Sequence, residues 1–517
     1  MANKILFQTI FGGLIPVTDT VNSEHAPAYA LSPKQALAQY AATGCFNRTF
    51  YAAAGEQLDR VLELCEAVGP EFVAQVAVYS RRNAYMKDMP ALLCAWLSAR
   101  SPRLHEAVFA QVIDNVKMLR TYVQILRSGV VGRKSLGTAP KRLVREWIAS
   151  RDEASLFRSS VGQSPSFGDI LKMVHPKPAD ERREAFYGYM LGRSYNAGKL
   201  PELVLQYERF KTGKEMEAPD LPFMMLSALP LSRQDWVAIA ARASWQTTRM
   251  NLNTFARHGV FEDPGLAEIV AARLRDAGEI ARAQLFPYQL LVAYTNCDAR
   301  VPRIVRDALQ DAMELAVANV PVIEGKVFVC PDVSGSMKSP VTGTRQGSAT
   351  AVECIDVAAL FAAAILRKNP SAEVLPFKQH VVSLDLNPRD SIMSNARKLA
   401  SIGGGGTNCS APVWLLNSRN AQGDLVILVS DNESWVDRGR GRGTELMNAW
   451  QKFRQRNPNA KLVCLDIQPN RTTQASERED ILNIGGFSDQ VFEVISAFAA
   501  GELNGDHWIG RIQAVEM

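Results

Sequence analysis

The chain has 517 residues, of which 47% are hydrophobic and 21% are charged, and its formal net charge at pH 7 is +5. This length predicts roughly two or three domains, and the composition is that of a globular protein with ample apolar material for its cores. The small net charge excludes a surface that is basic throughout, so any surface that binds nucleic acid must be local. No apolar run approaches the length of about 18 residues that a membrane-spanning helix needs.

The cysteines and histidines argue against a disulfide-stabilised or zinc-dependent fold. The eight cysteines are scattered without a Cys-x-x-Cys pair, and the six histidines lack the spacing of metal ligands. Buried free thiols in a reducing compartment explain this distribution better. The apolar run at 5–15 faintly resembles a signal peptide, but Gln8 and Thr9 interrupt it. We therefore expect a cytoplasmic protein with no membrane association. A monomer is the favoured oligomeric state.

The first part of the chain is predicted to be helical after an irregular N-terminal segment at 1–31. A helix is expected to start at Ser32, because Pro33 fits the first helical position and Gln35 can complete a capping box. From 32 to 320, apolar residues recur at helical spacing between short turns that contain Gly or Pro. This pattern favours stacked helical repeats. A large non-repetitive helical bundle is the alternative, since no clean sequence period is present.

Near residue 321 the pattern changes to short apolar runs that alternate with helical segments. The predicted strands lie at 327–333, 373–377, 381–386, 424–430 and 462–467, and the predicted helices at 349–368, 391–400, 445–455 and 490–500. This alternation predicts a doubly wound α/β domain with a mainly parallel sheet over 321–503. Residues 504–517 are predicted to form a C-terminal tail that is non-helical at its start.

Oxygen-bearing side chains follow two of the predicted buried strands. Asp332, Ser334 and Ser336 follow the first of them, Asp431 follows the other, and Thr407 ends a run of four glycines. Because ligands of open α/β sheets collect at the carboxyl ends of the strands, we expect these side chains to meet. Oxygen ligands suit Mg²⁺ or Ca²⁺ rather than Zn²⁺. The set predicts a site for one divalent cation, and an ordinary Ser/Gly turn after a strand is the alternative.

The predicted site is typical of a receptor rather than a catalyst. Neutral hydroxyls with few carboxylates leave a cation electrophilic, with one open position for a carboxylate or phosphate of a partner. No histidine or lysine base accompanies the set, so metal-assisted hydrolysis has little support and no catalytic residue is assigned. The glycines are not a nucleotide-binding P-loop, since the sequence has no Gly-x-x-x-x-Gly-Lys-Ser/Thr pattern.

A second candidate site is a run of cations in the helical part. The interval 117–145 has no Asp or Glu, and its cations are Lys117, Arg120, Arg127, Arg133, Lys134, Lys141, Arg142 and Arg145. Cations beside glycine turns and small hydroxyls are what a phosphate backbone requires, and a solvated positive face is the alternative. Lys172 and His175, at the end of a short amphipathic helix, are further candidates, although the histidine could simply cap that helix.

Taken together, several stretches resemble the Ro family of RNA-binding proteins, in which a helical TROVE module is followed by a von Willebrand factor A domain. The stretches in the C-terminal part are Asp332-Val-Ser-Gly-Ser-Met337, Gly404-Gly-Gly-Thr-Asn-Cys409 and Ser430-Asp-Asn-Glu433. Those in the helical part are Arg48–Tyr51, Lys87–Leu93, Gly132, Gly137–Trp147 and Leu171–Pro178. The C-terminal stretches resemble the metal-ion-dependent adhesion site (MIDAS) of A domains, which usually binds Mg²⁺.

The resemblance implies a HEAT-like helical ring with a basic central hole, closed by the A domain. It also implies binding of Y RNA outside the ring and of single-stranded 3′ ends of misfolded or precursor RNA in the hole. For bacterial members of the family, the resemblance also implies that the protein works alongside a 3′-to-5′ exoribonuclease. By position, Lys172 and His175 fall where the family contacts RNA, and the basic turn and helix correspond to Arg133, Lys134, Lys141, Arg142 and Arg145. One departure is 159–164, which lacks the cations expected there.

The sequence therefore predicts a non-catalytic RNA-binding subunit of a ribonucleoprotein, acting in RNA quality control or maturation. Its A domain would carry a cation that is structural or recruits an acidic partner. The first alternative is a metal-dependent protein–protein adaptor with a helical scaffold, and the second is a metal-dependent phosphoesterase.

Overall fold

The computed structural model describes nine ranges of the chain, namely 15–44, 53–160, 164–215, 217–283, 287–341, 352–435, 443–486, 489–503 and 507–517. The chain divides into two compact units. The A-domain unit consists of Met1–Val68, Arg275–Asn296 and Asp307–Val515, and the helical unit consists of Gly69–Leu274, Cys297–Arg306 and Glu516–Met517. The A-domain unit thus takes in the predicted N-terminal segment and the first helices, a division different from the predicted boundaries at 31 and 320.

A short hairpin precedes the helical part of the chain. Its strands are β1 (Thr20–Val21) and β2 (Pro27–Ala30). The helices that follow are α1 (Pro33–Thr43), α2 (Ala54–Val68), α3 (Pro70–Arg82), α4 (Asp88–Arg100), α5 (Pro102–Val112), α6 (Val116–Ser128), α7 (Thr138–Ala149), α8 (Glu153–Arg158), α9 (Phe167–Val174), α10 (Glu181–Leu191), α11 (Glu202–Lys211), α12 (Phe223–Leu226), α13 (Arg233–Arg242), α14 (Trp245–Arg257), α15 (Pro264–Leu274), α16 (Ala277–Ala283), α17 (Pro287–Thr295) and α18 (Arg303–Ala316).

The helical unit begins with a group of helices around α4. Every residue of α4 from Met89 to Ser98 is buried, because a helix that is apolar on all sides must be surrounded by neighbours. Those neighbours are α3, α5 and α6. The predicted helix start in the A-domain unit is also confirmed, since Ser32 and Gln35 form both hydrogen bonds of the capping box. The prediction of consecutive helices rich in repeats is confirmed, and closure into a ring stays a prediction.

The last part of the chain forms the α/β domain. Its elements are β3 (Val327–Pro331), α19 (Cys354–Lys368), β4 (Glu373–Val374), α20 (Ile392–Ala400), α21 (Ala411–Ser418), β5 (Leu425–Ser430), α22 (Glu445–Arg456), β6 (Lys461–Asp466), β7 (Thr472–Thr473), β8 (Ile481–Gly485), α23 (Asp489–Ala500) and α24 (His507–Gln513). Five strands pair in parallel in the order β4-β3-β5-β6-β8. The predicted parallel α/β architecture is confirmed.

Both faces of this sheet are covered. Alternate residues of β3, β5 and β6 belong to one core with α21 and α22, in which Phe328, Val426 and Leu462 pack near Trp450 and Phe453. Residues of β3 and β5 on the opposite face are equally buried, and α19 packs against β3. Parallel strands covered on both faces have continuous apolar sequences instead of alternating ones. This is why the sequence predicts β3, β5 and β6 correctly.

Two local predictions are wrong. The predicted strand at 381–386 forms only an isolated bridge between Val381 and Phe377. Its alternating pattern is that of a strand, but among the described residues no strand pairs with the rest of the segment. The tail is helical over α24, where Trp508 and Ile512 are buried one turn apart. Three further features were not predicted from the sequence, namely the β1–β2 hairpin, helix α21 and strand β8.

Other sequence expectations concern thiols and membranes. All seven cysteines within the described ranges are free, and six of them are buried. In the part of the chain that the structure describes, no helix has the length and apolarity to cross a membrane. The Arg48–Tyr51 stretch of the resemblance lies outside the described residues.

Candidate metal centre and basic surface

The predicted metal ligands lie where the sheet reverses its strand order. From β3 the chain passes first to β4 on one side and later to β5 on the other, and such a reversal opens a crevice at the carboxyl ends of the strands. Pro331 and Val429 are partners in the parallel register of β3 and β5. The Asp332 amide then donates to the Val429 carbonyl at 2.9 Å. Asp332 and Asp431 therefore emerge at the same edge.

Three loops meet at this edge through backbone hydrogen bonds. The Gly335 amide donates to the Gly405 carbonyl at 2.9 Å, and the Gly404 amide donates to the Val333 carbonyl at 3.0 Å. A Cβ atom on Gly335 would lie 3.3 Å from the Gly405 oxygen, so glycine permits this close approach. The Thr407 carbonyl accepts from the Trp435 amide at 3.1 Å. The glycine run is therefore joined to the loops that carry both aspartates.

The side chains of these loops form one buried polar group. Asp332 is fully buried, and its carboxylate accepts from the Ser334 amide at 2.8 Å and from the Ser430 hydroxyl at 2.5 Å. The Ser334 and Ser336 hydroxyl oxygens are 3.3 Å apart, and Ser336 also hydrogen bonds the carboxylate of Asp431. Thr407 is buried in the adjoining loop. The structure thus brings four of the five predicted ligands into one hydrogen-bonded group, with Thr407 beside it.

Burial disfavours the charged form of both aspartates. Burial, and secondly the negative charge of Asp431, raise the pKa of Asp332 to about 7. Burial also raises the pKa of Asp431. Among the described residues, no Lys, Arg or His forms an ion pair with either carboxylate. Buried carboxylates are stable when paired or when they coordinate a metal, so this donor set fits a hard divalent cation.

The fit depends on hydroxyl groups in addition to the carboxylates. Within the described ranges, no group of three or more His, Cys, Asp or Glu side chains is placed to hold a metal ion. Two further residues of this site were not predicted from the sequence. They are Ser430, whose hydroxyl orients Asp332, and Glu433, which is buried two residues after Asp431. Both lie in the Ser430–Glu433 stretch, so their position beside a predicted ligand was the available signal.

The helical unit carries the second candidate site around the end of α9. Helices α6 and α7 both pack against α9, and a Cβ atom on Gly168 would lie 2.6 Å from the Met190 oxygen of α10. His175 ends α9 in the left-handed conformation, with φ of 48°. Its side chain and that of Lys172 are exposed. The Arg145 guanidinium donates to the Val174 carbonyl, which brings α7 to the same place.

Further cations border this helix end. Hydrogen bonds from Ser166 lower the pKa of Asp169 most, and the positive charges of Lys172 and Arg127 lower it further, so Arg127 of α6 lies near α9. A cavity of about 300 Å³ is lined by Lys172, His175, Tyr187 and Arg193, among others. We call the five exposed cationic or titratable side chains the His175 cluster, which consists of Arg127, Arg145, Lys172, His175 and Arg193. Arg193 could not be predicted from the basic run or from α9, because it lies on the connection after α10.

Other cations of the predicted basic run have different environments. Arg142 forms ion pairs with Glu106 at 2.7 Å and Glu146 at 3.0 Å. The Arg133 guanidinium donates to the carbonyls of Ser98 at 2.7 Å and Leu136 at 3.3 Å.

The remaining members of the run divide by exposure. Arg120 is buried, Lys117 and Lys134 are exposed, and Lys141 is half-buried. The run is therefore not one uniform surface, because acids and carbonyls, some close in sequence and some distant, engage part of it.

Comparison with known proteins finds relatives of both the A domain and the whole chain. Residues 326–499 match the family model described as the Ro60 vWA domain. The chain is 26% identical to the RNA-binding protein RO60 of Deinococcus radiodurans over 92% of this chain and 94% of that protein. It is 22% identical to the RNA-binding protein RO60 of Caenorhabditis elegans, over 49% of this chain and 40% of that protein.

A solved structure extends the similarity to the fold. The crystal structure of the Deinococcus radiodurans RO (RSR) protein superimposes with a TM-score of 0.62 and 21% identity, covering 91% of this chain and all of that one. The similarity covers the helical part and the A domain. The resemblance to the Ro family is confirmed, and residues 326–499 of this chain are similar to the von Willebrand factor A domain of Ro60.

Proposed function

We propose that this protein is a non-catalytic RNA-binding protein whose His175 cluster contacts the phosphates of RNA. The observation that carries the proposal is that the exposed Lys172, His175 and Arg193 line one cavity. Arg145 of α7 bonds the last carbonyl of the same helix α9, and Arg127 of α6 lies near Asp169 of that helix. Arg and Lys neutralise phosphates, and exposed cations from separate parts of the chain can follow the backbone of RNA. Such a surface suits a flexible single strand better than a rigid duplex.

The names of two relatives support the same class of ligand. The Deinococcus radiodurans and Caenorhabditis elegans relatives are both named RNA-binding proteins. We further propose that the protein binds small noncoding Y RNA and the single-stranded 3′ ends of misfolded or precursor RNA. The place of action would be RNA quality control or maturation in the cytoplasm, alongside a 3′-to-5′ exoribonuclease.

A binding experiment at two salt concentrations tests this proposal. Fluorescence polarisation would compare a Y-like stem-loop, the same stem-loop with a single-stranded 3′ tail, and a DNA duplex of equal length. We expect the tailed RNA to bind most tightly and its affinity to fall steeply with salt, because phosphate contacts release counterions. Absence of RNA affinity, or affinity that does not change with salt, would contradict the proposal.

We also propose that the edge of the A-domain sheet holds one divalent cation, Mg²⁺ being the expected ion. Its ligands would be Asp332, Ser334, Ser336, Thr407 and Asp431, directly or through water. When bound, the cation supplies an electropositive position that a carboxylate or phosphate of a partner can complete. The chain's own contribution is to hold the Asp332 carboxylate in place through Ser430 and the Ser334 amide. Isothermal titration of the chelator-treated protein with Mg²⁺ and Mn²⁺ measures this directly.

The absence of catalysis needs its own test. Labelled RNA incubated with the protein and Mg²⁺ is expected to stay intact, since no general base has been assigned near the proposed ligands. Clean cleavage that disappears in the variant Asp332→Ala would contradict the non-catalytic proposal and favour a phosphoesterase. If the cation binds but RNA does not, the protein–protein adaptor becomes the better explanation.

A further inference from the structure

Two lysine side chains lie along the glycine run that precedes Thr407. A Cβ atom on Gly403 would overlap Cε of Lys338 and lie 3.1 Å from its Nζ, so the ammonium group of Lys338 lies against Gly403. A Cβ atom on Gly405 would lie 3.2 Å from Cδ of Lys378. Neither lysine side chain forms a hydrogen bond or an ion pair with a described residue.

The glycine run is fixed to the first loop of proposed cation ligands. The Gly404 amide donates to the Val333 carbonyl at 3.0 Å, and the Gly335 amide donates to the Gly405 carbonyl at 2.9 Å. Val333 and Gly335 are the residues between the three proposed ligands of that loop. The ammonium group of Lys338 therefore lies on the same pair of loops that carries four of the five proposed ligands.

Backbone donors of the same run lack acceptors. Within the part of the chain that the structure describes, no acceptor bonds the amides of Gly405, Gly406 and Thr407. Gly406 and Thr407 are buried. Buried amides in folded proteins almost always bond the protein, water or a ligand. The run therefore offers unused N–H donors beside the two lysine side chains.

This combination of groups suits a phosphate monoester better than a carboxylate. A phosphate monoester carries a charge of about −1.5 to −2 at pH 7 and three acceptor oxygens, whereas a carboxylate has a single charge and two oxygens. An internal phosphodiester of a nucleic acid also has a single charge, and it is substituted on both sides. A partly buried edge with several donors therefore favours a terminal phosphate.

We propose that Lys338, Lys378 and the amides of 405–407 form a subsite for the 5′-terminal phosphate of RNA beside the divalent cation. The inference rests on the cation site and on the RNA ligand of the proposed function. Single-stranded RNA, and with it the 3′ end, is proposed to contact the His175 cluster, so the 5′ phosphate is the terminal group that stays available. The bound cation adds positive charge next to the subsite.

Titration calorimetry with inorganic phosphate on the full chain, saturated with Mg²⁺, tests the subsite. The wild type should bind phosphate more tightly than acetate. In Lys338→Gln the phosphate affinity should fall about 10-fold, as for the loss of one hydrogen bond to a charged group. The matched control is Lys398→Gln, which changes a lysine of the same unit that pairs with Asp390 at 2.9 Å. It should match the wild type, and Mg²⁺ affinity should fall in neither variant.

A second variant displaces the ammonium group without removing its charge. Gly403→Ala places a methyl group where the end of the Lys338 side chain lies. Gly403 does not have a positive φ, so the backbone accepts alanine, and the flexible lysine moves instead. We expect a loss of phosphate affinity smaller than that of Lys338→Gln.

Fluorescence polarisation in Mg²⁺ compares one single-stranded RNA with a 5′ phosphate and with a 5′ hydroxyl. The phosphate should raise the affinity of the wild type and of Lys398→Gln but not of Lys338→Gln. The RNAs of the other binding experiments carry the 5′ hydroxyl, so those measurements do not involve this subsite.

Three outcomes would contradict the inference. If Mg²⁺ binds but phosphate binds no better than acetate, or binds equally to the wild type and Lys338→Gln, the inference is overturned and the cation site stands. If inorganic phosphate binds but the two RNAs bind the wild type equally, RNA is not the occupant, and a phosphorylated protein becomes the better candidate. If the wild type binds no Mg²⁺, the proposed cation site fails and the inference with it.

Discussion

The carboxyl edge of the A-domain sheet and the His175 cluster are both polar, yet the two regions are held in opposite ways. At the sheet edge, Asp332 and Asp431 are buried, and backbone hydrogen bonds join the three loops that carry the proposed ligands. In the His175 cluster the side chains are exposed and come from α6, α7, the end of α9 and the connection after α10. The first region depends on precise backbone geometry, whereas the second depends on the sum of charges.

This difference matters for what each region can recognise. A preorganised group of buried oxygens discriminates between ions, because few arrangements satisfy all its donors and acceptors. Exposed cations attract any flexible polyanion, and their effect is screened by salt. The comparison therefore predicts a selective, salt-tolerant A-domain site and a less selective, salt-sensitive helical surface. The following variants test that contrast.

The largest effect is expected from Asp332→Asn, which removes one buried negative charge at the sheet edge. Since it removes a proposed ligand and not a supporting group, Mg²⁺ affinity should fall by more than about 100-fold in calorimetry. RNA affinity should remain within experimental error, measured with the metal-saturated wild type as reference. The matched control is Asp466→Asn, another fully buried carboxylate at the end of a neighbouring strand. Equal losses in both variants would mean that the effect is structural.

The next effect concerns a polar group buried inside the helical unit. Burial, with a smaller contribution from Arg133, lowers the pKa of His105 to about 4, and its ring bonds the Tyr122 hydroxyl at 2.8 Å. Because the unfolded chain binds a proton more readily, this histidine makes folding less favourable as pH falls from its unfolded pKa near 6.5 toward 4. Between pH 7 and pH 5 the free energy of unfolding should drop by about 2 kcal/mol from this group.

Denaturant unfolding at the two pH values measures this change. In His105→Gln, the part of the fall in unfolding free energy that His105 contributes should vanish. In His380→Gln, which changes an exposed histidine of the A-domain unit, that part should remain. If the free energy of unfolding falls by the same amount between pH 7 and pH 5 in His105→Gln and in the wild type, the prediction that buried His105 is neutral is wrong.

The third effect is the loss of two members of the His175 cluster together. Lys172→Ala combined with His175→Gly should weaken RNA binding about 10-fold at low salt and reduce the salt dependence by about one phosphate contact. Glycine is chosen because residue 175 has a positive φ, which glycine adopts without strain. Fluorescence polarisation at several salt concentrations measures both quantities.

The control for that pair is Lys199→Ala, whose ammonium group pairs with Glu181 at 2.9 Å. It removes one positive charge from the same unit without touching the cluster. An equal effect of the control would show that net charge, and not the cluster, governs affinity. The Mg²⁺ affinity should be unchanged in both.

The smallest effect is expected from Arg142→Ala. The guanidinium already pairs with Glu106 and Glu146, so RNA affinity should change by less than about threefold, as for other exposed paired charges. The same assay measures it, with Arg127→Ala as the comparison. A larger loss for Arg142→Ala than for Arg127→Ala would move the interface to the N-terminal half of α7.

The sequence predicted the sheet edge better than the basic surface, for a physical reason. Strands β3 and β5 are buried on both faces, so their apolar runs mark the strands and place Asp332 and Asp431 at their ends. In a parallel sheet those ends must share one edge. The absence of acids between 117 and 145 gave no comparable information, since Glu106 and Glu146 lie just outside that interval and still pair with Arg142.

By itself, the sequence determined the succession of helices, the parallel α/β domain and the five proposed cation ligands, because burial periodicity and strand-end position are local properties. Only the tertiary structure decided which cations remain exposed, that Arg193 joins Lys172 and His175, and that Ser23, between β1 and β2, meets Glu433. Those contacts join residues from well-separated parts of the chain. Hydrogen-bond and ion-pair partners that the fold brings together leave no periodic pattern in the sequence.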